Sequence, residues 1–400
     1  MNLFKKNKRP SEEKKNPSKK DKDRDIDTRS SDSQKEKKEE DKNLMDRVND
    51  YLLRFSRVPL KEKLFFIQYF GIMFKTGISL SVIMRTLSKQ TSNKRFAQVI
   101  NEIGNKVEQG VGLADSFRPY KDIFGELFIN MVEAGEVSGN LENVLDQLYV
   151  QTKKQSELTS KVKGALTYPA VLVLVMIAVG VFMMIFVVPK LTGVLKSFGS
   201  ELPLPTKILV ASSEFITSNG LLVGGIVIAV VLLLVRILKT YRGKYYFHWL
   251  ILKMPIISSI VKKINLARFA RTTSSLLKTD ILIVKTFNIT SNVLGNLLYR
   301  EAVEEISQKI EKGGQINEII SDYPHLFPPV VEQIILVGEE TGELDSILLE
   351  LADFYEKEVD NIMDNLPSII EPILILILGI GVAGMAVAVI MPMYSMTSTI

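Results

Sequence analysis

Three glycines, Gly379, Gly381 and Gly384, spell the G-x-G-x-x-G of a dinucleotide-binding turn, in which glycine lets the backbone close on a pyrophosphate at a helix start. That chemistry needs a strand before the glycines and a helix after them. Here they lie inside an unbroken apolar run, so the spacing reads as small residues that let helices pack closely in lipid. Gly225 and Ala229 carry the same reading in a second apolar run. The rest of the catalytic vocabulary is thin. The chain has no Cys and only two His, His248 and His325, which excludes a disulfide framework, a zinc finger, a cysteine nucleophile and a multi-His metal site. There is no phosphate-binding loop, H-E-x-x-H helix, nucleophile elbow or calcium loop. His248 sits in an aromatic YYFHW cluster and reads as part of an interfacial anchor; His325, in YPHLFPP, reads as a turn residue. No catalytic residue, metal site or cofactor is assigned.

The acids are the more informative groups. Glu371 adjoins Pro372 at the edge of an apolar run; it is either a functional intramembrane acid or a hydrated interfacial carboxylate. Glu136 in AGEVSGNL and Glu339 in VGEETGEL occupy matching positions, and both readings, partner-docking acid and helix-end structural residue, stay open. Glu340 and Glu343 make the second motif the more acidic, so Glu136, Glu339, Glu340 and Glu343 are the docking candidates for a basic partner. Around Glu136 the motif has a local logic. Gly135 permits close helix approach, Ser138 to Asn140 turn the chain, Asn140 is an N-cap candidate, and Glu142 lies where the next helix dipole favours an acid.

These residues are positioned by a duplicated unit. A shift of 203 residues carries Pro169 onto Pro372 and Pro189 onto Pro392 without a gap. The same shift carries Lys106, Glu108 and Gly110 onto Lys309, Glu311 and Gly313, Phe124 onto Phe327, and Gly135, Glu136, Gly139 and Leu141 onto Gly338, Glu339, Gly342 and Leu344. A register held over more than a hundred residues indicates a repeat. Each pair of prolines is 20 residues apart, which as a helix spans about 30 Å, the thickness of a bilayer core. Pro169 also removes a backbone hydrogen bond to Ala165 and is the expected site of a kink.

The chain therefore reads as an all-α integral membrane protein with two duplicated helical bundle domains and three transmembrane helices. Residues 1–43 form a charged tail too polar to bury a core, expected to be disordered and without the apolar centre of a signal peptide. Its acids interleave with its bases, so no nucleic acid partner is expected. An amphipathic lead-in helix covers 44–59, its apolar face built on Leu44, Val48, Tyr51 and Phe55. The first helical domain covers 60–165, with breaks at Gly77, Thr91 to Asn93, Gly110 to Gly112, Pro119 and Ser138 to Asn140. Spans follow at 166–188, 221–238 and 369–391. They are separated by a loop at 189–220, a linker at 239–261 and the second helical domain at 262–368, and residues 392–400 close the chain. Lys153, Lys154, Lys161 and Lys163 precede the first span and Arg236, Lys239, Arg242 and Lys244 close the second. By the positive-inside rule both helical domains and the N-terminus are cytoplasmic, while the loop and C-terminus face out.

The segments LTYPA, VVP, LPLPT, the paired G-E-x-[ST]-G-x-L motifs, and IEP with a closing MP resemble the inner-membrane platform proteins of type II secretion and type IV pilus machines. The resemblance covers roughly residues 60–392. It implies two six-helix cytoplasmic domains, three membrane helices and a non-enzymatic core in the bacterial cytoplasmic membrane. It also implies partners: a hexameric cytoplasmic ATPase, pilins or pseudopilins, other membrane components of the machine, the lipid bilayer, and further copies of the chain. Pro169, Glu371 and Pro372 are then the candidates for the membrane junction. The charged tail departs from the family pattern. Against this stands a membrane transporter, or a scaffold unrelated to pilins; a transporter needs more spans and midplane polar groups than are present.

Overall fold

The computed structural model describes residues 58–197 and 204–397. The charged tail and the lead-in helix expected before residue 58 lie outside the described residues, as does the end of the chain past residue 397. Every regular element among the described residues is helical. The first repeat comprises α1 (Leu60–Lys75), α2 (Leu80–Gln90), α3 (Lys94–Glu108), two short helices α4 (Leu113–Phe117) and α5 (Lys121–Phe124), α6 (Glu126–Ser138), and the start of α7 (Leu141–Phe182). The second comprises α12 (Ile257–Leu277), α13 (Ile283–Val293), α14 (Leu297–Glu311), α15 (Ile316–Ser321), α16 (Pro329–Thr341) and the start of α17 (Leu344–Thr397). Under the 203-residue shift α2, α3 and α6 land residue for residue on α13, α14 and α16, and the first residue of α7 lands on that of α17.

Local chemistry explains why the boundaries coincide. Asn93 caps α3 by accepting from the Phe96 amide at 3.0 Å, and its counterpart Asn296 caps α14 by accepting from the Leu298 amide at 2.9 Å. Helices α6 and α16 stop at Gly139 and Gly342, whose φ of 69° and 74° lies in the left-handed region that glycine adopts without strain. One turn earlier the helices come close: a Cβ on Gly135 would lie 2.8 Å from Val144 Cγ2, and one on Gly338 would lie 3.1 Å from the Leu344 Cα. Asn140 takes the N-cap position of α7 but makes no side-chain cap bond, contrary to the expectation for it.

Each repeat closes on an aromatic triad at equivalent positions. Phe66, Phe96 and Phe124 meet at 5.5–5.7 Å between ring centroids. Phe269, Tyr299 and Phe327 repeat the arrangement, with Phe327 5.3 Å from Phe269 and 5.6 Å from Tyr299. Tilted and edge-on rings at these spacings favour the pairing of ring edges with ring faces. The hydroxyl that distinguishes Tyr299 from Phe96 is buried, and it donates to the Leu326 carbonyl at 2.6 Å. Burial also raises the Tyr299 pKa well above its ordinary value, so it remains a donor.

The last helix of each bundle continues into the membrane. Helices α7, α10 (Gly220–Lys239) and α17 are long and apolar enough to cross a bilayer. α7 has 42 residues and α17 has 54, so at about 1.5 Å per residue each is far longer than a bilayer core. The helical run is unbroken at both Pro169 and Pro372.

The segment expected as a loop over 189–220 is largely helical. α7 passes through a widened π turn, Met183–Val187, into α8 (Val188–Ser197), and α9 (Leu204–Ser218) then leads back to α10. Pro189 accounts for the widening, because without an N–H it cannot bond the carbonyl four residues earlier. α9 packs on this turn and on the far end of α17. Its Ser213 hydroxyl donates to the Met184 carbonyl at 2.5 Å, and its Thr206 hydroxyl donates to the Ala388 carbonyl at 2.6 Å. The linker after α10 forms a further helix, α11 (Tyr241–Lys253).

Candidate functional site

The docking candidates divide by geometry. Glu136, near the end of α6, accepts from the Leu113 and Ala114 amides at 2.7 and 2.9 Å. Glu339 does the same for the Ile316 and Asn317 amides at 2.9 and 3.2 Å. These are the first amides of α4 and α15, helices whose own N-cap residues, Gly112 and Gln315, make no side-chain cap bond. A carboxylate there satisfies two orphan donors and meets the positive end of the helix dipole. Both carboxylates therefore hold the repeat together, while Glu340 and Glu343 are exposed at the turn before α17. Glu339→Ala is expected to destabilise the second bundle by about 1–3 kcal/mol, because it strands two amides. Glu340→Ala should change stability by less than about 0.5 kcal/mol. Denaturant unfolding of the purified variants in detergent checks both.

Below that turn α7, α12 and α17 run together as a stalk toward the membrane. Its apolar seam joins Leu158 of α7 to Val359, Met363 and Leu366 of α17, with Ile264 of α12 and Ile370 packed alongside. Ion pairs flank the seam. Lys154 lies 3.2 Å from Glu356, Lys161 lies 3.0 Å from Asp360, and Lys263 of α12 lies 2.7 Å from Glu358. Arg271 of α12 is 6% exposed; its guanidinium grips both Glu356 oxygens at 2.8 Å and also donates to Asp353. Burial pulls the Arg271 pKa down, but the bonds to Glu356 and Asp353 outweigh that and raise it. The stalk feeds into the junction candidates: Pro169 is buried, and Glu371 and Pro372 are exposed on α17 immediately after Ile370.

His248 is not simply an interfacial anchor. Its Nδ1 accepts the Leu297 amide at 2.9 Å, so α11 caps α14. Burial, then nearby Lys244, lowers the His248 pKa below its ordinary value near 6.5. Only the neutral ring can accept this bond. The contribution is therefore fully present above about pH 6.5 and is lost as the pH falls from there through the lower folded value. The single Trp, Trp249, is its neighbour. Trp249 fluorescence is expected to change reversibly on acidification below about pH 6.5, and the change should vanish in His248→Asn. His325 is exposed in a turn, as expected.

Among the described residues, no close packing is made at the membrane glycines. Added Cβ atoms at Gly225, Gly379, Gly381 and Gly384 would meet nothing within 4 Å. No group of three metal-binding side chains occurs among the described residues. The residues the sequence did not single out are Arg271 and the polar run Thr272 to Ser275 of α12, all buried. They break the apolar period, so only their partners, such as Gln151 and Glu356, identify them.

The comparisons agree with this duplicated architecture. The profile of the family described as type II secretion system, protein F, matches residues 66–189 and again 269–392, each end displaced by the same 203 residues. The type IV pilus assembly protein PilC of Thermus thermophilus is 33% identical over 348 residues, covering 85% of this chain and 84% of its own. The PilC of Pseudomonas aeruginosa is 34% identical over 338 residues, covering 84% and 90%. The type II secretion system protein F of Vibrio cholerae is 30% identical over 330 residues, covering 82% and 80%. With two matched copies of the family unit leading into helices long enough to cross a bilayer, the chain belongs to the type II secretion system protein F family of membrane platform proteins, which are not enzymes.

Proposed function

We propose that this chain is the assembly platform of a type IV pilus, type II secretion or competence pseudopilus machine, coupling a cytoplasmic ATPase to pilin insertion in the bacterial cytoplasmic membrane. The observation that carries the coupling is the continuity of α7 and α17, each of which begins as the last helix of a bundle and ends as a span. A scaffold responds to an ATPase only through surfaces with different affinity for its states. Glu340 and Glu343 are the docking acids, since Glu136 and Glu339 already serve their own repeats. The stalk carries the motion past Pro169 and Pro372 to the membrane bundle, with Glu371 at the level of the headgroups.

Two variants separate docking from coupling. The Glu340→Lys, Glu343→Lys pair should reduce co-purification of the ATPase while the protein still inserts. Lys161→Glu, which sets a third acid against Asp360 and Asp364, should leave ATPase binding intact and reduce filament assembly. Normal assembly in both variants would overturn the proposal. The orientation, with both bundles and the N-terminus cytoplasmic, rests on the basic flanks of the first two spans. A reporter fused after Tyr394 is expected to read as extracytoplasmic and one near Gly313 as cytoplasmic; a cytoplasmic signal from the first would reverse this topology.

A further inference from the structure

Above the α7/α17 stalk the two bundles meet, among the described residues, in one direction only, and each is left with a free face. Repeat 2 presents the corner between α12 and α13 to the α6/α7 face of repeat 1. Gln151 donates to the Thr272 hydroxyl at 3.0 Å and accepts from the Ser275 hydroxyl at 3.4 Å. Glu133 pairs with Lys285 at 3.3 Å, and Asn292 donates to Glu126 at 3.1 Å. Leu276, Ile281 and Ile289 of repeat 2 are buried in the core of repeat 1. Shifting these positions by one repeat gives a second corner, between α1 and α2, and a second face, on α16 and α17. Neither is covered.

Both are apolar. On the free corner Tyr69, Ile72, Ile78 and Val82 are 38%, 51%, 39% and 49% exposed. Ile78 is the register equivalent of Ile281, which is 7% exposed: the same residue at the same position is buried in one copy and open in the other. The free face is a groove of about 580 Å³ between α16 and α17, in which Val330 and Val337 are each 49% exposed and Phe354 is 56% exposed.

The substitutions on the two free surfaces match each other. Where the internal interface pairs Gln151 with Thr272 and Ser275, the equivalent positions hold Phe354 against Tyr69 and Ile72. Where it pairs Glu133 with Lys285, they hold Leu336 against Val82. At both of these pairs polar partners have become apolar partners on both sides at once; the Glu126–Asn292 pair, replaced by Pro329 and Lys89, and Ile289, replaced by Thr86, do not follow. Contiguous exposed apolar surface of this kind marks an interaction site.

We infer that the α1/α2 corner of one copy docks into the α16/α17 groove of a second copy, repeating between chains the contact that joins the repeats within one. This is a head-to-tail interface, which yields a ring when the rotation closes and a filament when it does not. Chains held in one membrane plane cannot climb, so the rotation axis of the contact lies along the membrane normal, with repeats 1 and 2 alternating around it. The inference rests on the duplication and on the exposed residues, not on the coupling proposed above.

The absence of Cys makes the test clean. Two differently tagged full-length chains, one carrying Lys89→Cys and the other Gln333→Cys, are produced together in membranes and treated with a short bis-maleimide. Both sites flank the contact and leave its apolar residues in place. The internal control is Asn292→Cys with Asn130→Cys in a single chain, the register equivalents, which should link within the chain. The expected product of the main experiment carries both tags. Val82→Lys should lower its yield at least about tenfold, because it buries an unpaired charge, and adding Leu336→Glu should restore it. The inference fails if the internal control reacts but no doubly tagged product forms. It fails equally if only same-site adducts or adducts to other proteins appear, or if Val82→Lys leaves the yield unchanged.

Discussion

Replacing Phe66 or Phe269 by Ala is expected to unfold the repeat that contains it while leaving the other repeat folded. The two residues are register equivalents at the centre of the aromatic triads, 1% and 0% exposed. Phe66 also faces Phe117 at 6.3 Å, and Phe269 faces Phe287 at 5.8 Å. Truncating a buried Phe costs about 3–5 kcal/mol through lost transfer energy and the cavity left behind. That is a large share of the 5–15 kcal/mol typical of a whole domain. Limited proteolysis in detergent reads the result repeat by repeat. Phe66→Ala should expose cleavage sites between residues 60 and 140, and Phe269→Ala between 263 and 343, with insertion of the spans retained. Protection of both repeats in either variant would show that the triad does not hold its bundle.

Arg271→Ala is expected to destabilise the second bundle by about 3–5 kcal/mol, the cost of breaking a buried ion pair from one side. Arg271 contributes the planar fork to Glu356, whose side chain is 15% exposed and which also meets Lys154 from the first repeat. Without the guanidinium, Glu356 keeps only one partially exposed partner. Arg271→Lys should be intermediate, because a point charge cannot match both carboxylate oxygens. Replacing Arg271 and Glu356 together by Met and Leu should recover most of the loss, since two apolar side chains bury without an ionic desolvation cost. Thermal unfolding of the wild type, Arg271→Met, Glu356→Leu and the double variant forms a double-mutant cycle. A double variant as unstable as Arg271→Ala would show that packing, rather than the stranded carboxylate, sets the cost.

The membrane spans, the duplication and most helix boundaries were legible in the sequence because each depends on local physics. Helix rise and bilayer thickness fix the length of an apolar run, and an Asn at the start of a helix or a Gly at its end acts within one turn. Hence the turn at Gly139 and the proline pairs carried their meaning without coordinates, whereas Asn140, expected as an N-cap by the same local rule, makes no side-chain cap bond. The expectation of a loop over 189–220 failed because α9 draws part of its support from Met184 and Ala388, hydrogen-bond partners on other helices. Likewise Glu136 and Glu339 reach amides 23 and 22 residues away, and His248 reaches one 49 residues away. The buried polar run of α12 has no apolar period to betray it; it is inside because Gln151 and Glu356 meet it there. The sequence by itself determined two copies of one helical unit, each leading into a span, since that follows from repeat register and apolar length. Only the tertiary structure decided which copy covers which, because Ile78 and Ile281 are the same residue in the same local setting and differ only in what docks against them.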